Sequence, residues 1–184
     1  MKISSTTLTL LLVFVFQNCF SQNEVFKNYE TQLQQLGVAM DLPTEGRGEF
    51  LKPLKKSFVP HLFRVKMKKE NLEIWVNVRP YDSLNVVTQI PHMEAGRIAA
   101  NAGSNDEDAV TTVLRLGDDF AKETFGADWG REFYFRPKKQ ISERAHCRFI
   151  SLYKEEVGQI NVLFFFDEKT KGLDSYYDMF RFEK

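Results

Sequence analysis

The chain has 184 residues, of which 43% are hydrophobic, 14% aromatic and 27% charged. This composition excludes a wholly disordered chain and a protein with several membrane spans, and the length suits one domain, with or without a leader. Because 25 Lys and Arg residues balance 25 Asp and Glu residues, net charge does not favour nucleic acid or anionic lipid as a partner. The 17 Phe residues predict a core built largely from aromatic packing.

The first 21 residues have the pattern of a secretory signal peptide. Lys2 supplies a positive charge, residues 8–16 form a short apolar run, and Cys19 and Ser21 lie three and one residues before the expected cleavage point. The run is shorter than the roughly 20 residues of a membrane span. We therefore expect an exported protein, periplasmic or secreted, with one domain over residues 22–184 and no membrane span after leader removal. A retained membrane anchor and a lipoprotein acylated on Cys19 are the alternatives, although the residues before Cys19 lack the usual lipobox pattern.

The first predicted elements are a helix over residues 24–36, which ends at Gly37, and a short apolar strand over residues 38–43. An irregular loop is expected from there to about Val59. The clearest strand signal spans residues 61–79, where apolar and polar residues alternate on two arms, as in a hairpin with one buried face.

The hairpin pattern also predicts the register of its two strands. A four-residue loop pairs Met67 with Leu72, and every later pair follows from that one because a slip by one residue would turn the apolar side chains outward. The expected buried pairs are Val65–Ile74 and Phe63–Val76. The expected outer pairs are a Lys66–Glu73 ion pair and an Arg64–Trp75 cation–π contact, each contributing about 0.5–1 kcal/mol.

Two helices are predicted in the middle of the chain. The first begins at Pro91 and runs through Ala100. The second begins at Ser104, whose spacing to Glu107 matches a capping box, and continues to a stop at Gly126. In this helix Gly117 would cost about 1 kcal/mol relative to Ala.

Three strands are predicted next, over residues 132–135, 147–153 and 159–166, with a positive-φ turn at Gly158. The last strand is apolar on both sides in its second half, so both of its faces should be covered. Residues 173–180 are expected to close the domain as a helix or an edge segment.

The order of these elements predicts an α+β fold with a mainly antiparallel β-sheet and helices packed on both faces, an α/β/α sandwich. The leading helix, the strand that runs into Leu42-Pro43, the basic hairpin, the long helix and the late aromatic strand resemble PsbP-like and DcrB-like domains. The resemblance implies an exported, non-catalytic assembly or accessory factor. Where these families usually have Pro-x-Gly-Trp, this chain has Pro43-Thr44-Glu45-Gly46, and the resemblance assigns no functional residues.

The residue patterns favour neither a metal site nor a common catalytic site. The three histidines, His61, His92 and His146, lack metal-ligand spacing. The acidic run at residues 105–108 lacks the spacing of a calcium loop, and we interpret it as helix capping. Asp118 and Lys122 have the spacing of an exposed helical ion pair. No nucleophile elbow, phosphate loop or dinucleotide motif is present. We predict no cofactor, leave enzymatic activity open while favouring its absence, and interpret Cys147 as a buried small hydrophobic residue.

Two groups of residues are candidate binding surfaces. On the outer hairpin face, Trp75 would lie among the cations of Arg64, Lys66 and Arg79, where an exposed ring would bind a carboxylate, a sugar or a partner protein. The alternative is a Trp75 covered by a helix.

The second group is Asp128, Trp129 and Arg131. Gly126 and Gly130 flank the Asp-Trp pair and indicate a tight turn. The turn either holds Trp129 over the edge of the core or presents all three side chains at a cleft.

Taken together, the sequence favours an exported, non-enzymatic binding or accessory domain of the bacterial cell envelope, with an envelope protein or a small ligand as its partner. One alternative is a carrier of a small hydrophobic ligand, since the Phe residues could line a pocket. Another is a hydrolase with Asp128 at its site. The sequence indicates neither the identity of the ligand nor an oligomeric state.

Overall fold

The computed structural model describes residues 27–41, 48–168, 170 and 172–183. The predicted signal peptide, residues 24–26 of the first predicted helix, and the segment 42–47 lie outside the described residues. Among the residues that are described, no helix combines the length and the apolar character needed to cross a bilayer.

The main sheet of the described chain has seven antiparallel strands. They are β2 Gly48–Leu51, β3 Phe63–Met67, β4 Leu72–Pro80, β5 Thr112–Arg115, β6 Trp129–Phe135, β7 His146–Lys154 and β8 Gly158–Phe166. Their order across the sheet is β2-β3-β4-β8-β7-β6-β5. A separate small sheet pairs β1, Val38–Met40, with β9, Phe180–Phe182.

Helices cover both faces of the main sheet, so the predicted α+β sandwich is confirmed. Helix α1 includes residues 27–35, α2 is Pro91–Ala102 and α3 is Asp118–Phe125; short 3-10 turns lie at Val86–Gln89 and Leu173–Tyr176. Side chains of α1, α3 and the small sheet pack on one face, and α2 packs on the other. The central strand β8 is buried along all but its last residue, as its apolar sequence predicts.

The hairpin of β3 and β4 has the predicted register, with Met67 opposite Leu72 and Arg64 opposite Trp75. The Arg64 guanidinium lies 5.7 Å from the centre of the Trp75 ring, which confirms the expected cation–π contact. The predicted Lys66–Glu73 ion pair is wrong. Glu73 instead accepts from Arg64 Nη1 at 3.2 Å and from Trp75 Nε1 at 2.7 Å, because a long arginine side chain reaches a diagonal cross-strand neighbour.

The predicted long helix from Ser104 to Gly126 is wrong in its first half. Residues 112–115 form the edge strand β5, which pairs with β6, and α3 begins only at Asp118. Pairing with β6 decides the conformation here, because tertiary hydrogen bonding overrides a helical pattern of apolar residues. Gly117 is the residue before the helix rather than one inside it, so its expected cost does not arise.

Two polar predictions are also wrong. Asp118 pairs with Arg115 at 2.8 Å rather than with Lys122. The acidic run of residues 105–108 caps no helix; its Asp106 and Asp108 pair with Arg136 at 3.0 and 2.7 Å. The stop at Gly126, with φ +62°, is confirmed.

Strand β2 was expected to be irregular loop. It is only four residues long, and its two apolar residues, Phe50 and Leu51, are adjacent rather than alternating, so they give little periodic signal. Gly48 permits its close approach to β3, since a Cβ there would lie 2.9 Å from Val65 Cγ1.

Each face of the sheet has its own apolar core. The α1–α3 core includes Leu33, Ile74, Phe125, Ile150, Val162 and Phe164, and the α2 core includes Trp75, Ala95, Ile98, Phe149, Leu163 and Phe165. Ring contacts such as Phe133–Phe149, with centroids 5.1 Å apart, confirm the predicted aromatic packing. Cys147 is 1% exposed, burial raises the pKa of its thiol, and its interpretation as a buried hydrophobic residue is confirmed.

Candidate functional site

A groove of about 700 Å³ lies between the end of β4 and the first half of α2. We call it the β4–α2 groove. It is lined by Pro60, Asn77, Val78, Arg79, Pro80, Val87, Met93, Glu94 and Arg97. An apolar wall with a few placed polar groups is the usual composition of a binding site.

The polar wall of the groove is built around one buried carboxylate. Glu94 is 5% exposed. Arg97 donates to it through Nε at 2.8 Å and Nη2 at 2.6 Å, and Arg79 Nη1 lies 3.3 Å from its Oε2. The hydrogen bonds to Glu94 also raise the pKa of Arg97. Two guanidinium groups share one carboxylate, so the wall carries a net charge of +1. The buried Glu94 carboxylate holds both guanidinium groups in place.

Polar side chains in the sheet continue the groove beneath α2. Strand register places Asn161 of β8 beside Asn77, whose side chain lines the groove. Asn161 is fully buried, and its Oδ1 accepts from Ser151 Oγ at 2.8 Å. Its Nδ2 has no hydrogen-bond partner among the described residues, which is uncommon for a buried amide. Gln159 Nε2 ties this layer to α2 by donating to Pro91 O at 3.0 Å.

This polar layer was not predicted, although the sequence contains a signal for it. Gln159 and Asn161 are polar residues two positions apart in a strand expected to be covered on both sides, so they share one face. Buried polar residues at that spacing indicate a hydrogen-bonded layer inside the fold.

The outer edge of the groove is apolar and exposed. Val87 and Met93, which line the groove, are 44% and 57% exposed, and the neighbouring Leu84 and Val86 are 93% and 64% exposed. Exposed apolar side chains grouped at one place, rather than scattered singly, are typical of contact surfaces. We call these four residues the apolar rim.

The predicted hairpin face is divided by the structure into separate parts. Arg79 lines the β4–α2 groove, whereas Arg64 and Lys66 line a different cavity at the other end of β4. Trp75 is 1% exposed, between the rings of His61 at 4.5 Å and Phe165 at 5.1 Å. It therefore cannot present its ring to a ligand.

His61 holds the loop that covers Trp75. Its Nε2 accepts from the backbone N–H of Leu54 at 2.9 Å, and its Nδ1 lies 2.9 Å from Val59 O. This pattern requires a neutral ring with the proton on Nδ1. Burial lowers the pKa of His61, which favours the same state. The alternative in which Trp75 is covered is therefore confirmed. The loop that carries His61 contributes to this cover, together with α2.

The structure also places the second predicted group. Asp128 Oδ2 accepts from the backbone N–H of Glu155 at 2.9 Å, and Arg131 lies 5.5 Å from the centre of the Trp129 ring. Trp129 is partly buried against the α2 core, which agrees with a turn that holds this ring over the core edge. Register places Trp129 on the same sheet face as Arg79, three strands across, or roughly 14 Å away at normal strand spacing. The two predicted groups therefore do not form one site.

A buried ion pair on the opposite face was not predicted. Glu132, which is 4% exposed, pairs with Arg148 Nε and accepts from Tyr177 Oη at 3.1 Å. The Arg148 guanidinium lies 4.3 Å from the centre of the Tyr177 ring. Burial raises the pKa of Tyr177 to about 12 and also raises that of Tyr134. Both tyrosines therefore stay protonated at neutral pH, which suits a structural hydrogen-bond network.

Within the described ranges, no three His, Cys, Asp or Glu side chains come together as a metal site would require. Comparison of the chain with family models, with curated proteins and with solved structures finds no match.

Proposed function

We propose that this chain is an exported, non-enzymatic binding or accessory domain that engages a protein partner of the bacterial cell envelope through the β4–α2 groove. The observation that carries the proposal is the joining of the Arg79–Glu94–Arg97 cluster to the exposed apolar rim. A small-molecule pocket encloses its ligand, whereas here the apolar side chains continue outside the groove. Such a surface suits a partner segment that lies across it.

The free donors of the groove indicate the chemistry of that segment. Arg79 uses only Nη1 toward Glu94, and its Nε and Nη2 have no hydrogen-bond partner among the described residues. Asn77 lines the same wall. A carboxylate on the partner would find charge-assisted donors there. A neighbouring apolar side chain would cover Met93 and Val87. We therefore expect the partner to present an acidic residue or a chain terminus beside a hydrophobic residue.

The other hypotheses receive less support. The Phe side chains that a hydrophobic carrier would use to line a pocket pack against one another in the two cores, as Phe133 does on Phe149. For a hydrolase, Asp128 would need to face a substrate, but its carboxylate binds the backbone of Glu155.

Site-specific cross-linking tests the proposal. A photo-cross-linking residue is placed at Val87 in the full chain, expressed in a bacterial host that exports it. We expect one discrete adduct with an envelope protein. Met93→Asp should abolish that adduct, because it places a charge in the apolar rim. Val110→Asp is the matched control, since Val110 is also an exposed apolar side chain, 73% exposed, near the far edge of the sheet at β5.

An adduct that survives Met93→Asp, or that is lost equally with Val110→Asp, would refute the assignment of the groove. Native mass spectrometry of the purified protein gives a second outcome. A bound mass of a few hundred daltons that is lost on denaturation would favour the carrier hypothesis instead.

A further inference from the structure

A second cavity, of about 440 Å³, lies on the same sheet face at the other end of β4. We call it the basic basin. It is formed by the β3–β4 hairpin and the segment between β6 and β7, and its charged residues are Arg64, Lys66, Glu73, Lys139, Glu143 and Arg144. Four cations face two carboxylates in the lining. Asp167, which pairs with Arg144, reduces the local excess to one positive charge, in a chain whose formal net charge is zero.

Two of the cations are held rigidly. Arg64 donates through Nη1 to Glu73 at 3.2 Å and through Nε and Nη2 to the Lys52 carbonyl at 3.3 and 3.2 Å. Arg144 donates through Nη1 to Asp167 Oδ2 at 2.7 Å. Their side chains are only 17% and 21% exposed. A cation held in place before its ligand arrives loses less entropy on binding.

The segment that carries Lys139 and Arg144 is anchored to the body of the fold through Asp167. Asp167 Oδ1 accepts from the backbone N–H of Ala145 at 3.0 Å, and its Oδ2 also accepts from Asn71 Nδ2 at 2.9 Å in the hairpin turn. One carboxylate therefore ties this segment to both the end of β8 and the turn between β3 and β4. The basin keeps its shape because its two walls share this anchor.

The remaining donors of the basin are unused within the described part of the chain. Arg144 makes no hydrogen bond through Nε or Nη2, the pair of donors that binds two oxygens of one group. Lys66 and Lys139 are exposed, and neither forms an ion pair or hydrogen bond with a described residue. Three separate cationic groups thus direct donors at one cavity.

We infer that the basic basin binds a phosphate group, either as free phosphate or as a phosphomonoester such as a lipid headgroup. A phosphate group carries the charge opposite to that of Lys66, Lys139 and Arg144, whose unused donors face the basin. Its tetrahedral oxygens can accept from the Arg144 fork and from both lysines at once. A single carboxylate has one charge and one plane of oxygens, and would leave part of this set unpaired. This site is separate from the β4–α2 groove and does not depend on the proposed function.

Isothermal titration with inorganic phosphate, at about 0.1 M ionic strength, where the screening length is about 10 Å, tests the inference. The key variant is Lys66→Gln with Lys139→Gln, which removes two exposed cations without disturbing the core. The matched control is Lys27→Gln with Lys122→Gln, which changes the net charge equally on α1 and α3, across the sheet. We expect the basin variant to weaken binding by about tenfold or more, because each lost contact is charge-assisted, and the control by less than about twofold.

Arg144→Lys separates geometry from charge. It keeps the positive charge but removes the two-donor fork, so it should weaken binding by about three- to tenfold. Met93→Asp, in the β4–α2 groove, should leave phosphate affinity unchanged, which keeps this test distinct from that of the proposed function.

Vesicles of phosphatidic acid in phosphatidylcholine, compared with phosphatidylcholine alone, identify the source of the phosphate. Binding of free phosphate that depends on the basin supports a soluble ligand, and basin-dependent binding to phosphatidic acid vesicles alone supports a lipid headgroup. The inference is overturned if neither probe binds, if the control variant loses as much affinity as the basin variant, or if Arg144→Lys binds as tightly as the unmodified protein.

Discussion

Replacing Glu132 with Met should destabilise the fold by about 3 kcal/mol. Glu132 is 4% exposed, and the Arg148 side chain with which it pairs is 12% exposed. Removing one partner of a buried ion pair costs about 3–5 kcal/mol, because the other charge stays buried without compensation. We expect the lower end of this range, since Arg148 keeps Asp174 at 3.1 Å and the Tyr177 ring at 4.3 Å.

Urea unfolding, followed through the fluorescence of Trp75 and Trp129, measures this loss. The informative comparison is the double variant Glu132→Met with Arg148→Met. It removes both charges and fills the site with apolar side chains of similar length, so it should be more stable than Glu132→Met alone. The slope of the unfolding free energy against urea should stay the same in all variants, since none changes the surface exposed on unfolding.

Two results would refute this reasoning. A loss below about 1 kcal/mol for Glu132→Met would be that of an exposed pair, and would mean that solvent reaches the two charges. A double variant less stable than the single variant would mean that Arg148 is held by its ring contacts and by Asp174 rather than by Glu132.

Two other predictions concern pH and backbone conformation. Because the pKa of His61 is lowered from 6.5 in the fold, the unfolded chain binds a proton at this residue more readily than the folded chain does. The contribution of His61 to stability should therefore be complete above pH 6.5 and decrease as the pH falls below it. Urea titrations on either side of pH 6.5 measure this dependence, and His61→Phe should make it weaker. Gly158 has φ +136°, and an added Cβ would collide with the backbone oxygen of Arg79, so Gly158→Ala should lower the free energy of unfolding by about 2 kcal/mol or more. Gly117→Ala, where a Cβ meets nothing within 4 Å, should change it by less than about 0.5 kcal/mol, and equal melting temperatures for the two variants would contradict the structure.

The β3–β4 hairpin is a case in which local sequence pattern predicts the strand pairing correctly. Five cross-strand pairs between Phe63 and Val76 follow the register expected from alternation alone, because only one register buries one complete face. Residues 104–125 show its limit. Their apolar residues fit a helix, but Val113 and Leu114 lie in an edge strand. The hydrogen bonds that stabilise this strand come from β6, and only the tertiary fold places β6 beside it.

The candidate sites depended still more on tertiary structure. The hairpin pattern indicates Arg79, but Glu94, which pairs with it, and Arg97, which pairs with Glu94, lie on a helix that only the fold brings to β4. Likewise, Arg64 and Lys66 were singled out from sequence, whereas Lys139 and Arg144 reach them through a segment remote in the chain.

Local sequence pattern was enough to predict the layered α+β fold, the hairpin register, the covered central strand and the burial of Cys147, because these depend on periodicity and on the cost of exposing apolar surface. The packing of the layers was needed to show that Trp75 is covered, that β5 is a strand, and which charges meet in the β4–α2 groove and the basic basin. Such contacts join segments that are distant in the chain, and no local pattern records how those segments pack.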